Sequence, residues 1–201
     1  MTGVASEPRR MVNQIRRARS AELEALREIE RDAGRAFAAI GMPDIAADEP
    51  LSVSELESFV RTGHAWVAAD TSDRPVGYLL SEVVDGCAHI EQVSVARAYA
   101  RRGVGAALID RLDADAAAGN LPALTLTTFR DVPWNAPYYA RLGFVVFAAA
   151  EQGPELRALI AREASSIPTS AARVAMTRPT CRSGARARAR RSGTLGKTAA
   201  G

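Results

Sequence analysis

The chain has 201 residues, 47% of them hydrophobic and 24% charged, with a formal net charge of +3. That is enough apolar sequence for one domain with a buried core. No run approaches the ~18 apolar residues that cross a bilayer, and the N-terminus lacks the apolar stretch of a secretory signal, so a soluble, cytoplasmic protein is expected. Cys87 and Cys181 lie far apart and form no metal-spaced pair, so neither a disulfide framework nor a metal site is expected. The charge is unevenly placed. Residues 180–201 carry Arg182, Arg186, Arg188, Arg190, Arg191 and Lys197 with no acid, which leaves the first 179 residues at −3. The basic balance thus belongs to the tail, and no nucleic-acid partner is expected for the body.

In chain order, residues 1–10 read as a flexible N-terminus and MVNQIRR, 11–17, as a first strand. Ser20, with Glu24 nearby, opens an amphipathic helix over roughly 21–38, its apolar positions Leu23, Leu26, Ile29 and Phe37. A Gly/Pro/Asp-rich connection leads to a second helix, capped by Ser52 or Ser54, that runs through Val60 and stops near Gly63. The hydrophobic period then falls to two. AWVAAD, PVGYLLSEVVD and AHIEQVSV read as three strands of an antiparallel meander, joined by the turns TSDR and DG. A helix from 103 to about 118 follows, then the β-branched strand ALTLTTF and a short helix, PYYARLG, ending on Gly143. FVVFAAA reads as a strand, GPELRALIAREAS as a helix and RVAMTRP as a last strand added to the sheet. After Pro179 too little apolar sequence remains to fold, and residues 180–201 are expected to be disordered.

The stretch AYARRGVGAALIDRL, 98–112, carries the most specific chemistry. Glycines at 103 and 105 let the backbone approach a ligand, and the helix that follows turns its unpaired N–H groups and positive dipole end toward the loop. Such a turn holds a phosphate. A dinucleotide-binding turn fits worse, because there is one spaced glycine pair and no parallel βαβ unit with an acidic strand end at the usual distance. GKT at 196–198 is no phosphate loop, since Arg191 stands where its first glycine belongs.

With this order of elements, the turn resembles the pyrophosphate-binding motif of the GNAT superfamily of acetyl-CoA-dependent N-acetyltransferases. The resemblance covers about residues 11–179. Arg101, Arg102, Gly103, Val104, Gly105 and Ala106 occupy the motif, although its leading Gln/Arg falls on Ala100. A second likeness lies at Asn135, Ala136, Pro137, Tyr138, Tyr139, Ala140, Arg141, Leu142, Gly143 and Phe144, similar to the family's Asn-to-Tyr-x-x-Leu-Gly-Phe segment.

The resemblance implies an α+β fold, with a mixed, mostly antiparallel central sheet flanked by helices on both faces. It implies acetyl-CoA as co-substrate, no metal, and a small-molecule or peptide amine as acceptor; a homodimer is compatible with it. The strand before the glycine turn would splay from its neighbour and offer Val93, Ser94 and Val95 to the pantetheine arm, with the Val93 N–H at the developing oxyanion. Tyr139 would donate a proton to the thiolate, and Asn135 would bond the pantetheine arm or cap the short helix.

The period of two places His89, Glu91, Val93 and Val95 on one strand face. Two titratable groups on an otherwise apolar face form a base site, with Glu91 nearer the acetyl group; the alternative is a pair of ordinary solvated or mutually bonded strand residues. Phe129 and Trp134 flank the loop before Asn135 and either wall the acceptor pocket or simply pack. Tyr138 reads as a core residue or, with Phe129 and Trp134, as the wall of a pocket suited to an apolar or aromatic amine. A competing reading is an acyl-CoA-binding sensor with little turnover, and a further one is a tether built on the Arg-rich tail.

Overall fold

The computed structural model describes residues 12–166 and 171–181. The expected flexible N-terminus, Met11 of the first strand, and residues 182–201 of the tail lie outside the described residues. Thr180 and Cys181, which the sequence reading assigned to the disordered tail, are described. Thr180 is 1% exposed, and its hydroxyl donates to the carbonyl of Leu121 at 3.0 Å, so the ordered body continues past 179.

The sheet contains β1 (Val12–Arg17), β2 (Ala65–Asp70), β3 (Pro75–Val84), β4 (Cys87–Val95), β5 (Ala123–Phe129), β6 (Val145–Val146) and β7 (Arg173–Pro179), in the order β1-β2-β3-β4-β5-β7-β6. Every pairing is antiparallel except β4 with β5. The helices are α1 (Leu23–Gly34), α2 (Pro43–Ala46), α3 (Val53–Arg61), α4 (Val104–Ala118), α5 (Ala136–Arg141) and α6 (Pro154–Ser166). This is an α+β fold.

Local sequence explains most of these elements. The hydroxyl of Ser52 accepts from the Glu55 N–H while the Glu55 carboxylate accepts from the Ser52 N–H, a reciprocal cap that starts α3. Asp85 and Gly86 adopt φ of +47° and +71°, the left-handed pair that closes a two-residue hairpin between β3 and β4. The expected first helix is corrected in detail. Ser20 bonds Glu57 at 2.8 Å instead of capping, entry is through a 3-10 turn, Ser20–Glu22, and the helix passes after Gly34 into a second 3-10 segment, Arg35–Ile40.

One of the last strands also differs from expectation. FVVFAAA supplies only the two-residue β6, because Phe144 turns inward at 2% exposure and the chain leaves the sheet into a 3-10 turn at Ala149–Glu151. RVAMTRP joins the sheet as expected, as β7, and it does so between β5 and β6.

One sheet face carries α4, with Leu108, Ile109 and Leu112 packed on Leu79, Ile90, Leu124 and Leu126. The opposite face carries α1 and α3, with Leu26, Ile29 and Leu56 on Val67, Tyr78 and Leu80. On that second face, α6 joins through Leu156 and Leu159 against Val84 and Ala175. Gly77 lets the start of α4 approach: a Cβ there would lie 3.1 Å from the Ser94 carbonyl oxygen and 3.2 Å from Val104 Cγ1.

Candidate active site

The site begins where two strands part. β4 pairs with β5 only through Ala88 with Leu124, His89 with Thr125 and Ile90 with Leu126; beyond these the ladder stops and a fork opens. Against β3, Leu80 is opposite Gln92 and Ser81 opposite Ile90, so Glu91 is the extra residue of a β-bulge at the fork. The bulge shifts the alternation. Ala88 and Ile90 before it, and Val93 and Val95 after it, all face α4. The expected single face for His89, Glu91, Val93 and Val95 is therefore wrong: His89, like Gln92 and Ser94, faces the α1 and α6 side.

The bulge also decides which backbone groups are free. The Ala96 N–H donates to the Val76 carbonyl, so by antiparallel alternation Ser94 pairs with Tyr78 of β3, while the N–H groups of Val93 and Val95 point away from β3 into the fork. Ser94 departs from expectation: its backbone is committed to β3, and its hydroxyl accepts from Gln92 Nε2 at 3.0 Å.

On the α4 side of the fork lies the glycine turn. Gly103, at φ +78°, ends it and precedes α4, and the first intrahelical bond runs from the Ala107 N–H to the Gly103 carbonyl. The N–H groups of Val104, Gly105 and Ala106 thus have no acceptor within the helix and face the turn. Arg101, at φ +58°, and Arg102 are both exposed there, with the Arg102 guanidinium 5.9 Å from the Tyr99 ring centre. Tyr138 reaches the same place: a Cβ on Gly105 would lie 2.9 Å from its hydroxyl. The core role expected for it fits its packing on the α4-side core, whereas the expected place beside Phe129 and Trp134 in an acceptor-pocket wall does not, since those residues lie on the other sheet face.

Tyr139 stacks edge-on against Tyr138 at 5.5 Å and Phe144 at 5.8 Å. Tyr139 is half-buried, and burial, then the neighbouring Tyr138, hold its phenol well above the usual tyrosine range. Among the described residues its hydroxyl makes no hydrogen bond. Asn135 donates from Nδ2 to Thr128 Oγ1 of β5 at 2.7 Å, leaving Oδ1 buried with no partner among the described residues. Its backbone carbonyl, not its side chain, accepts the Tyr138 and Tyr139 N–H groups. An arm rich in amide N–H groups lying in the fork would find that orphaned acceptor beside it. The free turn N–H groups, two exposed arginines and the fork fit a coenzyme A.

On the α1 and α6 side, His89 is 1% exposed, and its Nδ1 lies 3.0 Å from Thr125 Oγ1. Burial pushes its pKa down to about 4, so it is neutral and enclosed. Glu91 reaches solvent, but from a recess. Burial first, then the charges of Glu82 and Glu163, push its carboxyl up to about 7, against Arg162 and Arg173. Thr127 donates to Glu163 Oε1 at 2.7 Å, and Arg173 bonds the same oxygen at 3.1 Å. Phe129, 5% exposed, and Trp134, 40% exposed, are bridged by Phe37, whose ring centre lies 5.8 and 5.5 Å from theirs. Phe37, Thr127, Glu163 and Arg173 were not singled out from the sequence as site residues. The alternation of Thr125, Thr127 and Phe129 along β5 is a signal for Thr127; Phe37 is marked only as an apolar helix position, and nothing local marks Glu163 or Arg173.

Residues 23–144, which hold the fork and the glycine turn and end just after the tyrosine helix, match the profile of the acetyltransferase (GNAT) family. The chain belongs to that family. The fold recurs in Ard1 from Thermoplasma volcanium, at 19% identity over 83% of this chain and 97% of that one, TM-score 0.61. It recurs in a Mycobacterium tuberculosis protein solved in complex with CoA, at 22% identity over 82% and 98%, TM-score 0.60. The ribosomal-protein-S18-alanine N-acetyltransferase of Escherichia coli is similar at 18% identity over 83% and 93%, TM-score 0.58. Among the described residues of this GNAT acetyltransferase, no helix is long and apolar enough to cross a membrane, and no three His, Cys, Asp or Glu side chains group as a metal site.

Proposed function

We propose that this acetyltransferase moves an acetyl group from acetyl-CoA directly to a primary amine, with the two co-substrates meeting at the fork from opposite faces of the sheet. The observation that carries this reading is the bulge at Glu91: a carboxyl at about 7 stands where β4 and β5 part, beside unpaired backbone N–H groups and across the sheet from the glycine turn.

A general base must be half ionised near working pH to combine occupancy with driving force, and a carboxyl at about 7 satisfies that. Glu91 takes the proton from the amine as its nitrogen attacks the thioester carbon. The Val93 N–H donates to the carbonyl oxygen as it becomes anionic. Tyr139, kept protonated by burial, gives its proton to the sulfur as the C–S bond breaks. The turn N–H groups of Val104, Gly105 and Ala106, with Arg101 and Arg102, hold the pyrophosphate, and Asn135 Oδ1 accepts from the pantetheine arm. His89, enclosed and neutral, keeps the strands joined at the base of the fork and leaves the proton transfer to Glu91. Phe129 and Trp134 wall the amine.

The test is a titration of acetyl-CoA by calorimetry against wild type and Gly103→Asp, followed by a thiol-release assay with amines. Binding by wild type, lost in the folded variant, together with amine-dependent thiol release, supports the reading. Folded wild type that binds no acetyl-CoA overturns it; binding without turnover for any amine would make the protein a sensor instead.

A further inference from the structure

On the α6 side of the sheet a cavity of about 270 Å³ lies between β5, β7 and α6. Thr127, Glu163 and Arg173 line it against Ile160, Ala164 and Ala175. Thr127 is on β5 just beyond the last residue paired with β4. Glu163 and Arg173 both act electrostatically on Glu91, and the Arg173 guanidinium lies 5.0 Å from the Phe129 ring centre. Arg173 in the cavity wall thus stands between the carboxyl at the fork and the aromatic group of Phe37, Phe129 and Trp134, none of which is itself among the lining residues.

Its charges are already matched. Glu163 and Arg173 form an ion pair at 3.1 Å, and both bond the Thr127 hydroxyl. A guest carboxylate would compete with Glu163 for the Arg173 charge even where it bonded the unpartnered Nε, and a second ammonium would meet a glutamate already neutralised. Either exchange would strand a partly buried charge. Among the described residues the rest of the wall is alkyl. Of the wall's polar side-chain atoms, Arg173 Nε alone is buried with no hydrogen-bond partner among the described residues; with its two charges paired to each other and its wall mostly apolar, a site of this size favours an uncharged body.

Resting on the acetyl-transfer reading, we propose that this cavity is the acceptor pocket and that it selects a monoamine with an uncharged apolar or aromatic body, against amino acids and polyamines. The amine reaches Glu91 while the body lies along Ile160 and Ala164 toward Phe129.

The experiment compares 2-phenylethylamine, L-phenylalanine and putrescine as acceptors, and titrates 2-phenylethylamine onto the protein by calorimetry with no turnover required. Wild type is expected to favour 2-phenylethylamine by at least about tenfold in kcat/KM. Ala164→Phe, which fills the cavity from the exposed side of α6, is expected to weaken 2-phenylethylamine binding about tenfold or more with the acetyl-CoA dissociation constant unchanged. Arg173→Gln, which leaves Glu163 unmatched, should shift preference toward putrescine.

Equal or better use of putrescine or L-phenylalanine by wild type overturns the proposal, as does a folded Ala164→Phe that binds the amine normally. If the amine binds wild type and not Ala164→Phe, yet no acetyl group is transferred, the cavity assignment stands and the acetyl-transfer reading falls.

Discussion

Glu91 and His89 sit two positions apart on one strand and are pushed in opposite directions by burial, because burial disfavours whichever form is charged. With its carboxyl at about 7, Glu91 is protonated below neutrality and ionised above it. The rate kcat/KM should therefore rise as pH passes through about 7, and Glu91→Gln should lose that limb and about 100- to 10,000-fold in kcat, with acetyl-CoA binding unchanged. A pH profile of the variant that still rises near 7 would move the base elsewhere. His89 has the opposite sign. Its folded pKa, about 4, lies below the ordinary 6.5, so the unfolded chain takes up a proton that the folded one refuses. The stability it contributes is fully present above pH 6.5 and is lost as pH falls toward 4, to an extent on the order of 3 kcal/mol. Urea midpoints of His89→Gln, whose amide can still reach Thr125, should vary less between neutrality and pH 4 than those of wild type. An unchanged pH dependence would mean that His89 is hydrated in solution.

Among the elements, what the sequence made legible divides by range. The Asp-Gly turn, the Ser52 cap, the meander and the glycine turn rest on residues within a few positions of one another, and each was readable locally. The bulge at Glu91 depends on how β3 registers against β4, and the insertion of β7 depends on where α6 returns the chain; neither leaves a local trace. Asp85 combines both kinds of information. It was readable as a turn residue, yet its carboxylate also accepts the Glu155 N–H at 3.1 Å and the Leu156 N–H at 2.9 Å, capping α6 from about 70 positions away. Asp85→Ala should strand those donors and strain a residue at φ +47°. A loss of about 1–2 kcal/mol is expected, a fall of roughly 2–4 °C in Tm per kcal/mol at this chain length. Asp85→Asn, which keeps an acceptor and tolerates the left-handed region, should recover most of it. A calorimetric scan in which Asn and Ala are equally destabilised would exclude the cap. If the cavity beside α6 is the amine pocket proposed above, Asp85→Ala should also raise KM for the amine more than for acetyl-CoA.

At the scale of the whole molecule, the sheet works as a partition with one opening. The face proposed for the cofactor, with the glycine turn, Asn135 and both tyrosines, rests on contiguous motifs, which is why the sequence marks those residues. The acceptor face draws Phe37 from the segment after α1, Phe129 and Trp134 from β5 and the loop beyond it, and Glu163 from α6, so only two of those four were found before folding brought them together. The partition makes a joint prediction. A Cβ at Gly105 would meet the Tyr138 hydroxyl at 2.9 Å, so Gly105→Ala disturbs the turn and should weaken acetyl-CoA binding about tenfold with little effect on KM for the amine. Phe37→Ala removes the bridge between Phe129 and Trp134 and should raise KM for the amine with acetyl-CoA binding unchanged. The two positions share no contact partner among these, so their effects on kcat/KM, expressed as free energies, should add in the double variant to within about 0.5 kcal/mol. Strong non-additivity, or a change in acetyl-CoA affinity caused by Phe37→Ala, would mean that the faces communicate through the fork and that substrate binding is ordered by a movement of β4 against β5. Additivity would leave the fork as a fixed opening, with selectivity for each co-substrate set on its own side of the sheet.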